Sequence, residues 1–237
     1  MTDKKYELLQ DDTITIEGLT LYRIRALRNF NGVIAGELGG YIEHERNLSH
    51  DGNCWLYDNA KAYDCARVTD GARLYDNSQA SGSAFISTRA MMQGNSVAKG
   101  NTIIRGTVNI SGNSIIDECA VLYDHVIVRG NSVVCGDTWL HGNCVIDDGY
   151  VPNGDAVVWF SNVGNERGTL TVYCGRTELL ATRGCFTDTL DVFCIMNANR
   201  PFSMNSTRFT REYELLVEMA RLRLSESQEA ILRSAEK

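Results

Sequence analysis

Four histidines, His44, His50, His125 and His141, are the side chains in this 237-residue chain best suited to moving protons near neutral pH. His125 and His141 are the candidates for a general base. An exposed surface histidine is the simpler reading of both. His44 and His50 fall in a less regular stretch and read as structural. A zinc site of the carbonic-anhydrase kind needs three histidines brought together. No two of these four stand eighteen residues apart, the separation that stacks side chains in this chain, so no metal is expected. Neither a Gly-x-Ser-x-Gly elbow nor a Gly-x4-Gly-Lys-Ser/Thr phosphate loop occurs, and no cofactor is expected. The eight cysteines form no Cys-x-x-Cys pair and read as reduced, structural thiols of a cytosolic protein. Arg105, Tyr123 and His141 do stand eighteen apart, in a series that begins at Thr69 and Ser87. Together they offer charge, stacking and hydrogen bonding, which suits a phosphate-bearing ligand. Arg129 belongs to a second series: Tyr57, Tyr75, Gln93, Ser111, Arg129, Asp147. The plainer reading of both series is a solvated ladder.

The elements that must position these residues follow from a six-residue period. From Gly52 to Asp148 every sixth residue is Gly or Asp, except Thr88 and Glu118. Numbering each hexad from that residue as 0, position 1 is often Asn, position 2 is small in the first half and position 4 is mostly aliphatic. Positions 2 and 4 face the same side of a strand. Gly, Asp and Asn tolerate turn dihedrals and cap them with side-chain bonds. Three hexads make one triangular coil of eighteen residues, and coils stack about 4.8 Å apart. The seventeen hexad starts give five to six coils of an all-β solenoid. Coiling with this period resembles the left-handed parallel β-helix of hexapeptide-repeat families. A right-handed bactofilin-like helix is the alternative that the pattern leaves open.

Position 3 points outward and changes character along the chain. It reads Lys61, Arg67, Arg73, Gln79, and then Val97, Ile103, Asn109, Ile115, Val121, Ile127, Val133, Trp139, Val145. So regular a run of outward aliphatics predicts a covered surface. Its cover is expected to be the C-terminal helix, another subunit, or both. A homo-oligomer is expected, a trimer before a dimer by analogy with hexapeptide proteins.

The ends are less regular. Ile42 and Leu48 fit position 2 of a first coil near Gly40, and Gly154, Ala156 and Val158 fit one more hexad beyond Pro152. The expected organisation is an N-terminal strand cap at 1–39, a parallel β-helix at 40–160 and a small α+β domain at 165–237. In the last, 168–184 read as a hairpin, DTLDVFCIM as a helix with Thr187 as N-cap, and Thr210–Leu224 as a helix. Tyr213, Leu216, Ala220 and Leu224 line one face of it. Ser225 and Gln228 read as a capping box for a further turn.

A net charge of −7 without a long basic run disfavours binding along a nucleic-acid backbone. The first residues have no apolar core, so no signal peptide is expected, and no apolar stretch approaches a membrane span.

The segment Leu38-Gly39-Gly40-Tyr41-Ile42-Glu43, then Asn47-Leu48-Ser49 and Gly52 to Ala60, resembles the start of YdcK-like hexapeptide-repeat proteins of phages and prophages. The C-terminal TLTVYCGRTELLATRGCFTDTLDVF and REYELLVEMARLRL are similar to the tail many of these proteins carry. The resemblance implies a left-handed helix and a phage-associated origin, in the cytoplasm of a bacterial host. It brings no established activity, since the family's acyltransferase label rests on the repeat alone. The resulting expectation is a non-enzymatic binding protein that counteracts host defence by holding a host protein or a nucleotide signal. The alternatives are a CoA-dependent acyltransferase with His125 or His141 as base, and a structural rod. No long loop of the kind that holds CoA interrupts residues 52 to 148.

Overall fold

The computed structural model describes residues 4–199 and 206–235; residues 1–3, 200–205 and 236–237, parts of the expected cap and C-terminal domain, lie outside it. All seventeen position-0 residues have positive φ, between 51° and 98°. That is why the period is written in Gly and Asp, because left-handed backbone costs other L residues roughly 1–2 kcal/mol. Aspartate does a second job. Asp58, Asp64, Asp70 and Asp76 each accept the backbone N–H of the position-0 residue one coil further on, at 2.8–3.2 Å. Glu118 and Asp124 repeat the pattern at 2.9 and 3.1 Å. Position 1 adds a ladder in which Asn77 donates to Asn95, Asn95 to Asn113 and Asn113 to Asn131.

Each coil carries three very short strands, and the coils build a left-handed parallel β-solenoid of about six turns. The first face continues from the N-terminal strands Tyr6–Ile16, Leu19–Ala26 and Leu38–Ile42 through Lys61, Gln79, Val97, Ile115 and Val133 to Tyr150. The second face holds Arg67, Phe85, Ile103, Val121 and Trp139, and the third holds Trp55, Arg73, Met91, Asn109, Ile127 and Val145. Positions 2 and 4 fill the interior: Ala66, Val68, Ala84, Ile86, Ile104, Leu122 and Leu140 are fully buried. Inward hydroxyls of Ser78, Ser114, Ser132 and Thr138 donate to the carbonyl three residues back, at 2.6–2.7 Å.

Both ends depart from the hexad. Ile42 pairs with Ala62 and Leu48 bridges Val68, an offset of twenty residues. Ile42 and Leu48 therefore hold position 4, not position 2, because the first coil contains two extra residues. At the far end Val133 pairs with Tyr150, an offset of seventeen. Gly149 absorbs the missing residue, and a Cβ there would lie 2.7 Å from Ile146 Cγ2 and from the Tyr173 ring. Gly154–Ala156 is a 3-10 turn and Val157–Val163 joins a separate antiparallel sheet, so no further hexad follows Pro152.

The solenoid ends are covered. At the start, Tyr6, Ile24, Phe30 and Val33 bury against Trp55 in one core. Lys5, fully buried, donates to the Cys54 carbonyl at 2.8 Å, and Asn47 donates to the Asp64 and Ala66 carbonyls. At the other end a four-stranded sheet (Val157–Val163, Gly168–Cys174, Leu179–Arg183, Phe186–Thr189) satisfies the last edge with side chains. The Val145 N–H donates to Thr171 Oγ1, the Val145 carbonyl accepts from Thr182 Oγ1, and Asp147 bonds Tyr173 Oη through both its N–H and its carbonyl. Unpaired strand edges invite further pairing, and these side-chain bonds satisfy the last edge of the third face, while Trp139–Leu140 is the last strand of the second face.

Two helices complete the chain. In α1, Leu190–Ala198, the N-cap is Thr189, the last residue of the preceding strand, and not Thr187, which lies two residues earlier in that strand. The Thr189 hydroxyl accepts from the Val192 N–H. Helix α2 runs unbroken over Ser206–Ala235, with Tyr213, Val217, Ala220, Leu224 and Ile231 buried and Leu216 half-buried. Ser225 and Gln228 start no new turn: Ser225 Oγ donates to the Leu222 carbonyl and Gln228 Nε2 to the Gly175 carbonyl. The helix packs on the terminal sheet and on Gly154–Ala156. No helix among the described residues is long and apolar enough to cross a membrane.

Candidate functional site

The second face presents two parallel ladders, because positions 3 and 5 flank each inward position 4. The position-3 ladder is Phe85, Ile103, Val121 and Trp139, in register along the coils. Trp139 is 62% exposed, and Phe85 and Ile103 are also open to solvent. The position-5 ladder brings together three residues singled out by spacing. The Arg105 guanidinium lies 5.8 Å from the Tyr123 ring centroid. Tyr123 stacks on His141 with centroids 5.2 Å apart and planes at 16°. Trp159, from the C-terminal sheet, closes the ladder edge-on against His141 at 4.8 Å. Trp159 is missed by the sequence reading because it lies beyond the last hexad, although it continues the eighteen-residue series by one step.

Arg129 stands elsewhere. It lies on the third face, where its Nε meets Asp147 at 2.7 Å and its Nη2 meets Thr187 Oγ1 at 3.3 Å. The position-3 residues divide among faces. Val97, Ile115 and Val133 are half-buried on the first; Ile127 and Val145 lie on the third, with Val145 held by the C-terminal hairpin. Helix α2 covers the end of the solenoid and not the length of these ladders.

The histidines separate by environment. His50 stacks on Tyr6 with centroids 4.2 Å apart, and its Nδ1 accepts the Lys5 N–H at 3.2 Å. Burial pushes its pKa down, while Glu45 opposes that shift. His44 caps the short turn Glu45–Asn47 and pairs with Glu43 at 3.2 Å. His125 Nδ1 contacts the Thr107 hydroxyl in the coil below. His141 is held by rings on two sides, stacked on Tyr123 and edge-on to Trp159. The thiols are unbonded to each other. Burial pushes the Cys144 thiol up to about 12 and the Cys174 thiol up to about 11. Burial also lowers the pKa of Lys5, which lies 3.2 Å from Cys54 Sγ. Among the described residues no three His, Cys, Asp or Glu side chains gather as a metal site.

Fold and surface together define a left-handed parallel β-helix protein with capped ends and one aromatic, arginine-bearing face. No family profile matches the chain. Among curated proteins it is similar to the uncharacterized acetyltransferase YdcK of Escherichia coli (strain K12), at 43% identity over 60 residues. The match covers 25% of this chain and 18% of that protein's length.

Proposed function

We propose that this chain is a non-enzymatic binding protein that acts as a homo-oligomer, a trimer being the favoured form. One observation carries the reading: Phe85, Ile103 and Trp139, in one ladder with the half-buried Val121, are open to solvent beside the Arg105–Tyr123–His141–Trp159 ladder. Aromatic residues and arginine are enriched at protein interfaces, and a large exposed tryptophan is their usual anchor. The subunit contact is assigned to the apolar ladder. The polar ladder lies at its rim. A phage-associated role against host defence in the bacterial cytoplasm, directed at a host protein or a nucleotide signal, rests on the resemblance in residues 38–60.

An acyltransferase is the second reading, and the name of the E. coli relative is what favours it. His125 or His141 would then take the proton of an acceptor hydroxyl or amine as it attacks the thioester of acetyl-CoA, with CoA leaving as the thiol. Calorimetric titration with acetyl-CoA separates the two. The binding-protein reading expects no saturable heat and no release of free CoA with amine acceptors. Saturable binding together with transfer that is lost in His141→Ala or His125→Ala would establish the enzyme. The rod reading has less support, because the N-terminal strands extend over the first coil and the C-terminal sheet bonds the third-face edge at Val145.

A further inference from the structure

At the corner where the second face turns into the third, Arg73 and Arg89 line a recess of about 190 Å³ together with Gly71, Ala90 and Met91. Arg73 is the rung partner of Met91, and Arg89 leads into that rung one coil up. Among the described residues, ion pairs engage Arg23, Arg25, Arg129, Arg183, Arg211, Arg221 and Arg233, but neither arginine of the recess. The neighbouring Asp70 forms no ion pair with either of them; its Oδ2 accepts the Thr88 N–H at 3.2 Å and the Thr69 hydroxyl at 3.4 Å. Two guanidinium groups without an ion-pair partner among the described residues thus line one concavity, in a chain whose net charge is −7.

Two features of the backbone point to the same place. Gly71 occupies position 1, where the same column carries Asn53, Arg89, Thr107, His125 and Asn143. A Cβ on Gly71 would lie 2.8 Å from the Thr88 carbonyl oxygen and 3.7 Å from Arg89 Cγ, so a side chain there would crowd the recess floor. Thr88, immediately before Arg89, has φ 65° and is the single β-branched residue among the position-0 turns. A β-branched residue in left-handed backbone is strained, and such strain collects at functional sites.

We infer that this corner binds the phosphate group of a small phosphate-bearing ligand, gripped between Arg73 and Arg89. Guanidinium forks match phosphate oxygens in pairs. The recess is smaller than the roughly 300–1,000 Å³ of sites that enclose a drug-sized ligand, so it takes an anionic head and leaves the rest of the molecule outside. The assignment does not depend on subunit association.

Inorganic pyrophosphate is the probe, titrated by calorimetry at low and moderate salt into the full chain. The expected result is one site per chain, weakened at least tenfold in Arg73→Met and in Arg89→Met and less in Arg89→Lys. Arg129→Met, whose arginine is paired with Asp147, should bind as the parent does. Far-UV melting curves show that each variant is folded. Absence of binding to the parent chain, or equal affinity in Arg73→Met, Arg89→Met and the parent, would overturn the assignment.

Discussion

The Trp159 ring meets His141 edge to face, with centroids 4.8 Å apart and planes at 87°. This contact ties the C-terminal sheet to the outer surface of the solenoid, beside the interior link that Thr171, Tyr173 and Thr182 make to Val145 and Asp147. Aromatic pairs of this geometry contribute about 0.5–1.5 kcal/mol beyond area burial. A double-mutant cycle with His141→Ala and Trp159→Ala should return a coupling of that size in urea denaturation. Additive effects would show that the two rings are neighbours without mutual stabilisation.

Thr88 is the residue whose replacement should stabilise the chain. Its left-handed φ suits Gly, which has no Cβ to strain, and Asp, which serves at four of the first five hexad starts. Thr88→Gly should gain about 1 kcal/mol, the relief of left-handed strain exceeding the added backbone entropy. Thr88→Asp should gain at least as much, since its carboxylate can accept the Gly106 N–H as Asp70 accepts that of Thr88. The check is a higher urea midpoint at unchanged m-value. A lower midpoint for both would mean that threonine's own contacts outweigh the strain.

Buried thiols set the alkaline behaviour. Cys144 is fully buried and its pKa is pushed up to about 12, whereas an unfolded thiol titrates near about 8.5. Its folded pKa is raised, so its contribution to stability is complete below about pH 8.5 and is lost as pH rises toward 12. Across that window this one group steepens the fall by up to about 1.4 kcal/mol per pH unit. Cys144→Ala puts alanine at a position where the repeat already uses it. It should flatten the alkaline limb of the stability–pH curve by that amount. An unchanged slope would mean that Cys144 is deprotonated equally in both states.

The solenoid was legible because each hexad position has one dominant physical task. Left-handed φ at position 0 restricts the residue type, and burial at positions 2 and 4 restricts its size. The ends were not legible in the same way. Ile42 and Leu48 look like position 2 by counting, and only the pairing of Ile42 with Ala62 shows the two-residue insertion. Thr187 and Thr189 are equally good caps by type and both pair in the sheet, with Thr182 and Leu180, so only the bond from the Val192 N–H to the Thr189 hydroxyl decides between them. The Arg105–Tyr123–His141 ladder followed from simple addition, because parallel coils keep register. Arg129 was harder to read, since spacing alone does not show that Asp147 satisfies it. Lys5 left no sequence signal: its burial arises from tertiary packing against Cys54 and Phe30.

The central claim is that the second face is a contact surface, and solution mass tests it most directly. Light scattering at tens of micromolar should give the parent chain close to three times its 26.3 kDa, and Trp139→Glu the mass of one chain. Trp139 is exposed within the chain, so the charge should be tolerated by the fold itself. A monomeric parent, or an oligomer that Trp139→Glu leaves intact, would contradict the account.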